Sequence, residues 1–206
     1  MTMSEKITAG KALAHFKTIS RHKLEVAKGC FAVGLYRQGI LHDLSKYSPT
    51  EFLVGARYFQ GNRSPNNAER EEKGYSSSWL HHKGRNRHHY EYWMDYNTRV
   101  ERTPESDRKM SDAEFLSGAI IPCKMPGRYV VEMFMDRVAA SKVYRGSEYT
   151  DHDPLAYYEG GRTDAFLHPQ TKALLEKLLH MLDEKGEEET FAYIRAHLTR
   201  EKPHRA

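Results

Sequence analysis

Apolar residues recur at three- and four-residue steps along most of this chain, the spacing that puts them on one face of a helix. Over residues 8–30 the series is Leu13, Phe16, Ile19, Val26 and Cys30. His15, Ile19, His22 and Val26 share one stripe of that helix, which predicts that His22 points inward. Gly29, Gly34 and Gly39 then loosen the backbone, and residues 35–44 read as a short second helix carrying His42 and Asp43. Ser48-Pro49-Thr50-Glu51 opens a third, with Ser as N-cap, Pro at the first helical position and Glu at the third. That helix is expected to reach Gln60 and stop at Gly61.

Residues 61–78 are polar and contain Pro65, three Asn and a charged run, which predicts an excursion over the surface. Order returns over residues 79–97 with Trp79, Tyr90, Tyr92, Trp93 and Tyr96, in two pieces separated at Gly84. Residues 103–126 read as loop, with Pro104, Pro122 and Pro126. The clearest core helix is 127–145, through Val130, Val131, Phe134, Met135, Val138 and Ala139. A second loop over 146–163 precedes a closing helical pair, 169–185 and 187–200, divided at Gly186. No stretch alternates long enough to build a sheet, and there is no internal repeat. The prediction is one all-α domain over residues 1–206, with its core in about 8–200.

Composition narrows the function. With 206 residues the chain is long enough for one well-cored domain. No apolar run approaches the ~18 residues that cross a bilayer, the N-terminus lacks the apolar core of a signal peptide, and two cysteines do not make a disulfide framework. A reduced, cytoplasmic protein is the expectation. A formal charge of +4 and a pI near 8.9 suit a small anionic substrate and are too weak to argue for nucleic acid. The oddity is twelve histidines, half of them at His22, His42, His81, His82, His88 and His89.

Those positions give the chain its candidate chemistry. Imidazole with carboxylate suits borderline and harder divalent ions such as Zn²⁺, Fe²⁺, Mn²⁺ or Mg²⁺. His42 and Asp43 are adjacent, and an imidazole and a carboxylate of different reach can meet at one centre. His81 and His88 are seven apart, as are His82 and His89, so either pair fits one face across two turns. One ligand is expected from each of His81/His82 and His88/His89, either His82 with His89 or, in the other register, His81 with His88. Asp136 stands in an apolar stretch, where a lone carboxylate is costly, so a metal ion or a salt bridge to Arg137, Lys142 or another basic residue should compensate it. Taken singly, an inward histidine is more often a hydrogen-bonded core residue, and the basic run 81–89 a solvated loop. Their joint order favours a metal site of one or two ions.

The order His, His-Asp, further His, then a distant Asp resembles the HD-domain superfamily of metal-dependent phosphohydrolases. That resemblance implies an HD-like helical bundle with His22 as first ligand, His42 and Asp43 as the namesake pair and Asp136 as closing ligand. Lys46 matches the lysine that in HD phosphodiesterases contacts substrate phosphate or acts as an acid. The segments HDLSKYSPTEF, GYSSSWLHHKGRNRHHYEYW and MPGRYVVEMFMDRVAASKVY are similar to an uncharacterised family of bacterial and phage proteins related to that superfamily. The similarity spans about Lys17 to Leu182 and names no substrate.

The expected activity is hydrolysis of a phosphate ester in a nucleotide or another small phosphorylated metabolite, with Asp43 as catalytic bridge between two ions. Lys46, with Arg85 and Arg87, would bind the phosphate. Two other readings share these residues. One is an HD-fold di-iron oxygenase, distinguished by its metal and its need for oxygen. The other is a non-catalytic module in which the segment 81–89 holds an anion or nucleic acid, distinguished by salt-dependent binding without metal. Nucleic acid is the less favoured partner, because Tyr75, Trp79, Tyr90, Tyr92 and Trp93 suit a helical core better than a base-stacking surface.

Overall fold

The structure is a computed structural model, and it describes residues 6–98, 111, 118–161 and 163–199. The described residues form an all-α fold of eight α-helices, with one short strand pair. Helix α1 (Ala9–Ala32) begins at Thr8, whose hydroxyl accepts from the Lys11 amide at 3.2 Å. Its buried stripe is His15, Ile19, His22, Val26 and Cys30, as the spacing predicts. Gly34 takes φ 83°, and the amides of Gly34 and Leu35 close back on Phe31 and Cys30, which turns the chain into α2 (Tyr36–Leu41). α2 stops short of the expected end, so His42 and Asp43 lie beyond it.

A 3-10 turn (Leu44–Tyr47) leads to α3 (Pro49–Arg57), which starts at Ser48-Pro49 as expected and ends earlier. The Ser48 side chain makes no capping bond there. The polar stretch 61–78 is not all loop: it contains α4 (Pro65–Lys73), opened by Ser64-Pro65 and stopped by Gly74 at φ 81°. Only Ala68 and Glu69 of α4 are buried, so an apolar stripe is missing and periodicity misses the helix. Ser76 caps α5 (Ser77–Lys83), accepting from the Trp79 amide at 3.1 Å, and Gly84 ends it. Strands β1 (Met94–Tyr96) and β2 (Ile120–Pro122) pair antiparallel, an element too short to leave alternation in the sequence. Most of the expected loop 103–126 lies outside the described residues. The expected loop 146–163 contains α7 (Asp153–Gly160).

Helix α6 (Gly127–Arg145) has the expected bounds and is the centre of the fold. It is apolar on most faces because α1 and α8 (Pro169–His197) both pack on it. Val130, Val131, Phe134, Leu175, Leu178, Leu179, Leu182 and Ile194 are fully buried there, each contributing about 1.5–3 kcal/mol. Gly186 breaks α8 at φ 78°, where the sequence divides the closing pair.

Two close approaches position the site. A Cβ at Gly29 would stand 2.7 Å from Met135 Sδ, which lets α1 and α6 meet near His22 and Asp136. A Cβ at Gly55 would stand 2.3 Å from His15 Nε2, where α1 meets α3. His15 packs against Phe52 and Phe59, and burial with the nearby Lys46 charge pushes its pKa down to about 4, so it packs as a neutral ring. Among the described residues, no helix is long and apolar enough to cross a membrane. Cys30 and Cys123 are free thiols.

Candidate metal centre

Five segments meet at Asp43. Leu41 is the last residue of α2, and Asp43 sits in the left-handed region at φ 54°, a conformation that Asp and Asn tolerate better than bulkier residues. The turn cancels the angular separation that a continuing helix would give neighbouring residues, and both His42 and Asp43 enter one cluster. Lys23 on α1 donates to the freed carbonyls of Ile40 and His42 at 2.7 Å each, tying this turn to α1. The other side chains come from α1 (His22), α5 (His82), the turn after α5 (His88, His89) and α6 (Glu132, Asp136).

The cluster has two halves. In one, His22 Nε2 lies 2.9 Å from Asp136 Oδ1, and His42 Nε2 lies 3.4 Å from the same oxygen and 3.3 Å from Asp43 Oδ2. In the other, Asp43 Oδ1 is 3.2 Å from His82 Nε2 and 3.4 Å from His88 Nε2. His82 Nε2 and His89 Nε2 stand 2.9 Å apart. Ligand atoms of His22, His42, Asp43 and Asp136 all lie within 4.8 Å of one another, and so do those of Asp43, His82, His88 and His89. Asp43 belongs to both sets.

These residues fit a divalent ion. His42 Nε2, His88 Nε2 and both Asp43 oxygens are buried without a hydrogen bond of good geometry, although folded proteins seldom leave such atoms unpartnered. Two imidazole nitrogens at 2.9 Å need a proton or a cation between them. The donors are nitrogen and oxygen throughout, which suits borderline to hard divalent ions. Buried His, Asp and Glu groups therefore form a set able to hold a metal ion.

The charges hold each other. Burial opposes ionisation of Asp43, but His42, Lys46 and His82 keep its carboxyl well below the usual range. For Asp136 the opposing burial is outweighed by its bonds to His22 and His42. Burial works against the His42 imidazolium too, yet Asp43, Asp136 and Glu132 raise its pKa well above the ordinary value. His89 goes the other way, lowered by burial and by the charges of His88 and His82. Lys46, one turn past Asp43, reaches its Oδ2 at 2.5 Å while 30% of its side chain stays exposed. It connects the buried carboxylate to solvent.

The expected ligands His22, His42, Asp43, His82, His89 and Asp136 all come together. His88 joins them alongside His89, where the sequence leaves one or the other. His81 stands outside, with Nδ1 2.6 Å from Glu51 Oε1. Asp136 meets histidines and not Arg137 or Lys142: Arg137 lies over Tyr158, and Lys142 pairs with Glu187. Arg85 is exposed and donates to the His81 carbonyl. Arg87, also exposed, donates to the Tyr129 hydroxyl at 3.2 Å and lies over the Tyr92 ring. Tyr149, Asp151, His152 and Asp153 form a polar turn, in which Tyr149 donates to Asp151 and His152 meets Asp183.

Sequence reasoning misses two carboxylates. Glu132 Oε1 lies 3.1 Å from His42 Nδ1 and 3.2 Å from His88 Nδ1. Its place one turn before Asp136, amid apolar residues, is the signal that finds it. Glu51, read from sequence as a capping residue of α3, lies with Oε2 2.8 Å from His82 Nδ1.

A sequence profile of a family of unknown function, DUF5662, matches residues 11–181. The chain belongs to this family. The matched span takes in every residue of the cluster, from His22 to Asp136. No curated protein and no solved structure matches the chain.

Proposed function

We propose that this chain is an HD-type, metal-dependent phosphohydrolase, acting on the phosphate ester of a nucleotide or another small phosphorylated metabolite in the cytoplasm. One observation carries the reading: Asp43 offers an oxygen to each of two ligand sets, the arrangement of a carboxylate shared by two ions. His22, His42 and Asp136 would complete one ion's ligands, and His82, His88 and His89 the other's. A pair of divalent ions supplies water of lowered pKa and polarises phosphoryl oxygens.

The chain's own charges support an anionic substrate. Asp43, Asp136, Glu132 and Glu51 carry four negative charges, which two divalent ions balance. The Lys46 ammonium is then the surplus positive charge at the cluster. Burial opposes it, but Asp43 and Asp136 raise its pKa above the ordinary value, so it is charged at neutral pH. Partly exposed beside the buried carboxylate, it is placed to neutralise charge on a phosphate entering from solvent. The His, His-Asp, His, Asp order supports the HD assignment, and the two free thiols suit a reducing compartment.

The test is a hydrolysis screen of nucleoside mono-, di- and triphosphates, cyclic nucleotides, sugar phosphates and bis(p-nitrophenyl) phosphate. The protein is loaded in turn with Mn²⁺, Fe²⁺, Zn²⁺ and Mg²⁺. Phosphate-ester cleavage that stops with chelator, and in Asp43→Ala and Asp136→Ala, is the expected result. No turnover with any metal refutes the proposal. Oxygen uptake by the iron form would move the reading to an oxygenase, and salt-dependent anion binding by metal-free protein would move it to a binding module.

A further inference from the structure

Glu132 stands at the back of the cluster, on the far side of two imidazole rings from Asp43. Its Oε1 is 3.1 Å from His42 Nδ1 and 3.2 Å from His88 Nδ1, while the Nε2 atoms of the same rings lie 3.3 and 3.4 Å from Asp43. His42 and His88 belong to different Asp43-centred halves, and with Glu132 they form a third group whose ligand atoms lie within 4.8 Å of one another; their rings are 4.4 Å apart, tilted by 35°. One oxygen thus touches one ring from each half. We infer that Glu132 is a positioning residue shared by both ion sites, a single carboxylate that fixes the tautomer and the aim of His42 and His88 together.

This role for Glu132 rests on the metal-centre reading above and follows from the hydrogen-bond capacity of imidazole. A neutral imidazole has one N–H donor and one lone pair. A carboxylate oxygen only accepts, so each ring turned toward Glu132 keeps a proton on Nδ1; a ring that gives up its Nε2 proton to ligate an ion is then the tautomer whose Nε2 lone pair points toward Asp43. Both Nε2 atoms are buried without a hydrogen bond of good geometry, as ligand atoms should be. Glu132 is itself buried. The residue sits on α6 one turn before Asp136, so the same rigid helix carries a ligand candidate and the carboxylate behind two others. Glu51 makes the contrast: it lies 2.8 Å from His82 Nδ1 and touches only that half of the ligand set.

The expected consequence is that the two sites weaken together. Losing the acceptor behind a ligating histidine lowers metal affinity by about 10–100-fold. Glu132→Gln, whose amide can present N–H to Nδ1 and reverse the tautomer, should lower the affinity of both Zn²⁺ sites by this factor. Glu51→Gln should lower one. Competition of each full-length protein with a chromophoric chelator reads the two affinities, and circular dichroism reports the fold. Two unchanged Zn²⁺ affinities in Glu132→Gln, or a loss confined to one site, would overturn the inference. Long-range ¹H–¹⁵N NMR of histidine rings in the Zn²⁺-loaded wild type needs no variant. It should show Nδ1 protonated in both His42 and His88, and Nε2 protonated in either overturns the inference even if Glu132→Gln does not fold. Wild type that takes up no Zn²⁺ instead refutes the metal-centre reading itself.

Discussion

Replacing Asp43 with asparagine removes the one carboxylate that both halves of the cluster touch while preserving its size and backbone. Asn tolerates the left-handed conformation at φ 54° about as well as Asp, so the turn after α2 survives the change. In wild type, two ions bound at roughly 100 times their dissociation constants each add about 2.7 kcal/mol, or about 5 kcal/mol together. For a chain of this size, 1 kcal/mol moves the melting temperature by about 2–4 °C, so saturating Mn²⁺ or Zn²⁺ should raise it by roughly 10–20 °C. Asp43→Asn should lose almost all of that rise, because each ligand set loses a charged member. Without metal, the variant also loses contacts to His42, His82 and Lys46, worth roughly 1.5–3 kcal/mol. That cost is bounded, since His42 and His82 can shed protons and Lys46 can turn to solvent. Asp43→Ala should fall further, by about 1 kcal/mol, for the left-handed backbone. Thermal melts with metal and with chelator, beside metal content per chain, make the comparison. A full metal-dependent rise in Asp43→Asn would refute the bridging role.

Lys46→Ala should keep both ions and lower phosphate-ester kcat/KM by about 10²-fold, the loss expected when one stabilising cation or donor is removed. Wild-type turnover in that variant would reassign Lys46 to holding Asp43 alone. Glu69 is a second buried carboxylate, accepting from Ser76 and Ser77 at 2.7 and 2.6 Å and tying α4 to the start of α5. Burial opposes its charge, but Ser77, Ser76 and Lys73 hold its pKa at about 2, below the ordinary 4.5. Its contribution is therefore complete above pH 4.5 and disappears as pH falls toward 2. Glu69→Gln should cost about 2 kcal/mol at pH 7 and little at pH 2.5, which urea unfolding at the two pH values measures.

The helices whose positions are dictated by an apolar stripe are legible in the sequence. The periodicity finds both α1 and α6 and puts His22 on the buried stripe of α1, although Leu13 and Phe16 of the same series are exposed. α4 escapes because Glu69, not an apolar residue, anchors it through serine hydroxyls. α7 escapes because only Pro154, Leu155 and Tyr158 of its eight residues are buried. In the site, the order of the ligand-type residues is enough to gather His22, His42, Asp43 and Asp136. It does not resolve 81–89, because the seven-residue spacing assumes a helix. Gly84 ends α5, and the turn beyond it brings His88 and His89 to the cluster side by side while leaving His81 with Glu51. Glu132 and Glu51 are hidden for a different reason. Neither needs to face solvent or a ligand, and a carboxylate behind a histidine becomes visible only when the partner ring is in place.

The number of divalent ions per chain decides whether Asp43 joins two sites. The full chain, expressed in medium supplemented with Mn²⁺, Fe²⁺ and Zn²⁺, purified without chelator and measured by plasma emission spectrometry, should carry close to two divalent ions per chain. Asp43→Ala and Asp136→Ala, prepared in parallel and still helical by circular dichroism, should each carry far less. Two ions retained in both variants, or none in wild type after loading with each metal, would contradict the account.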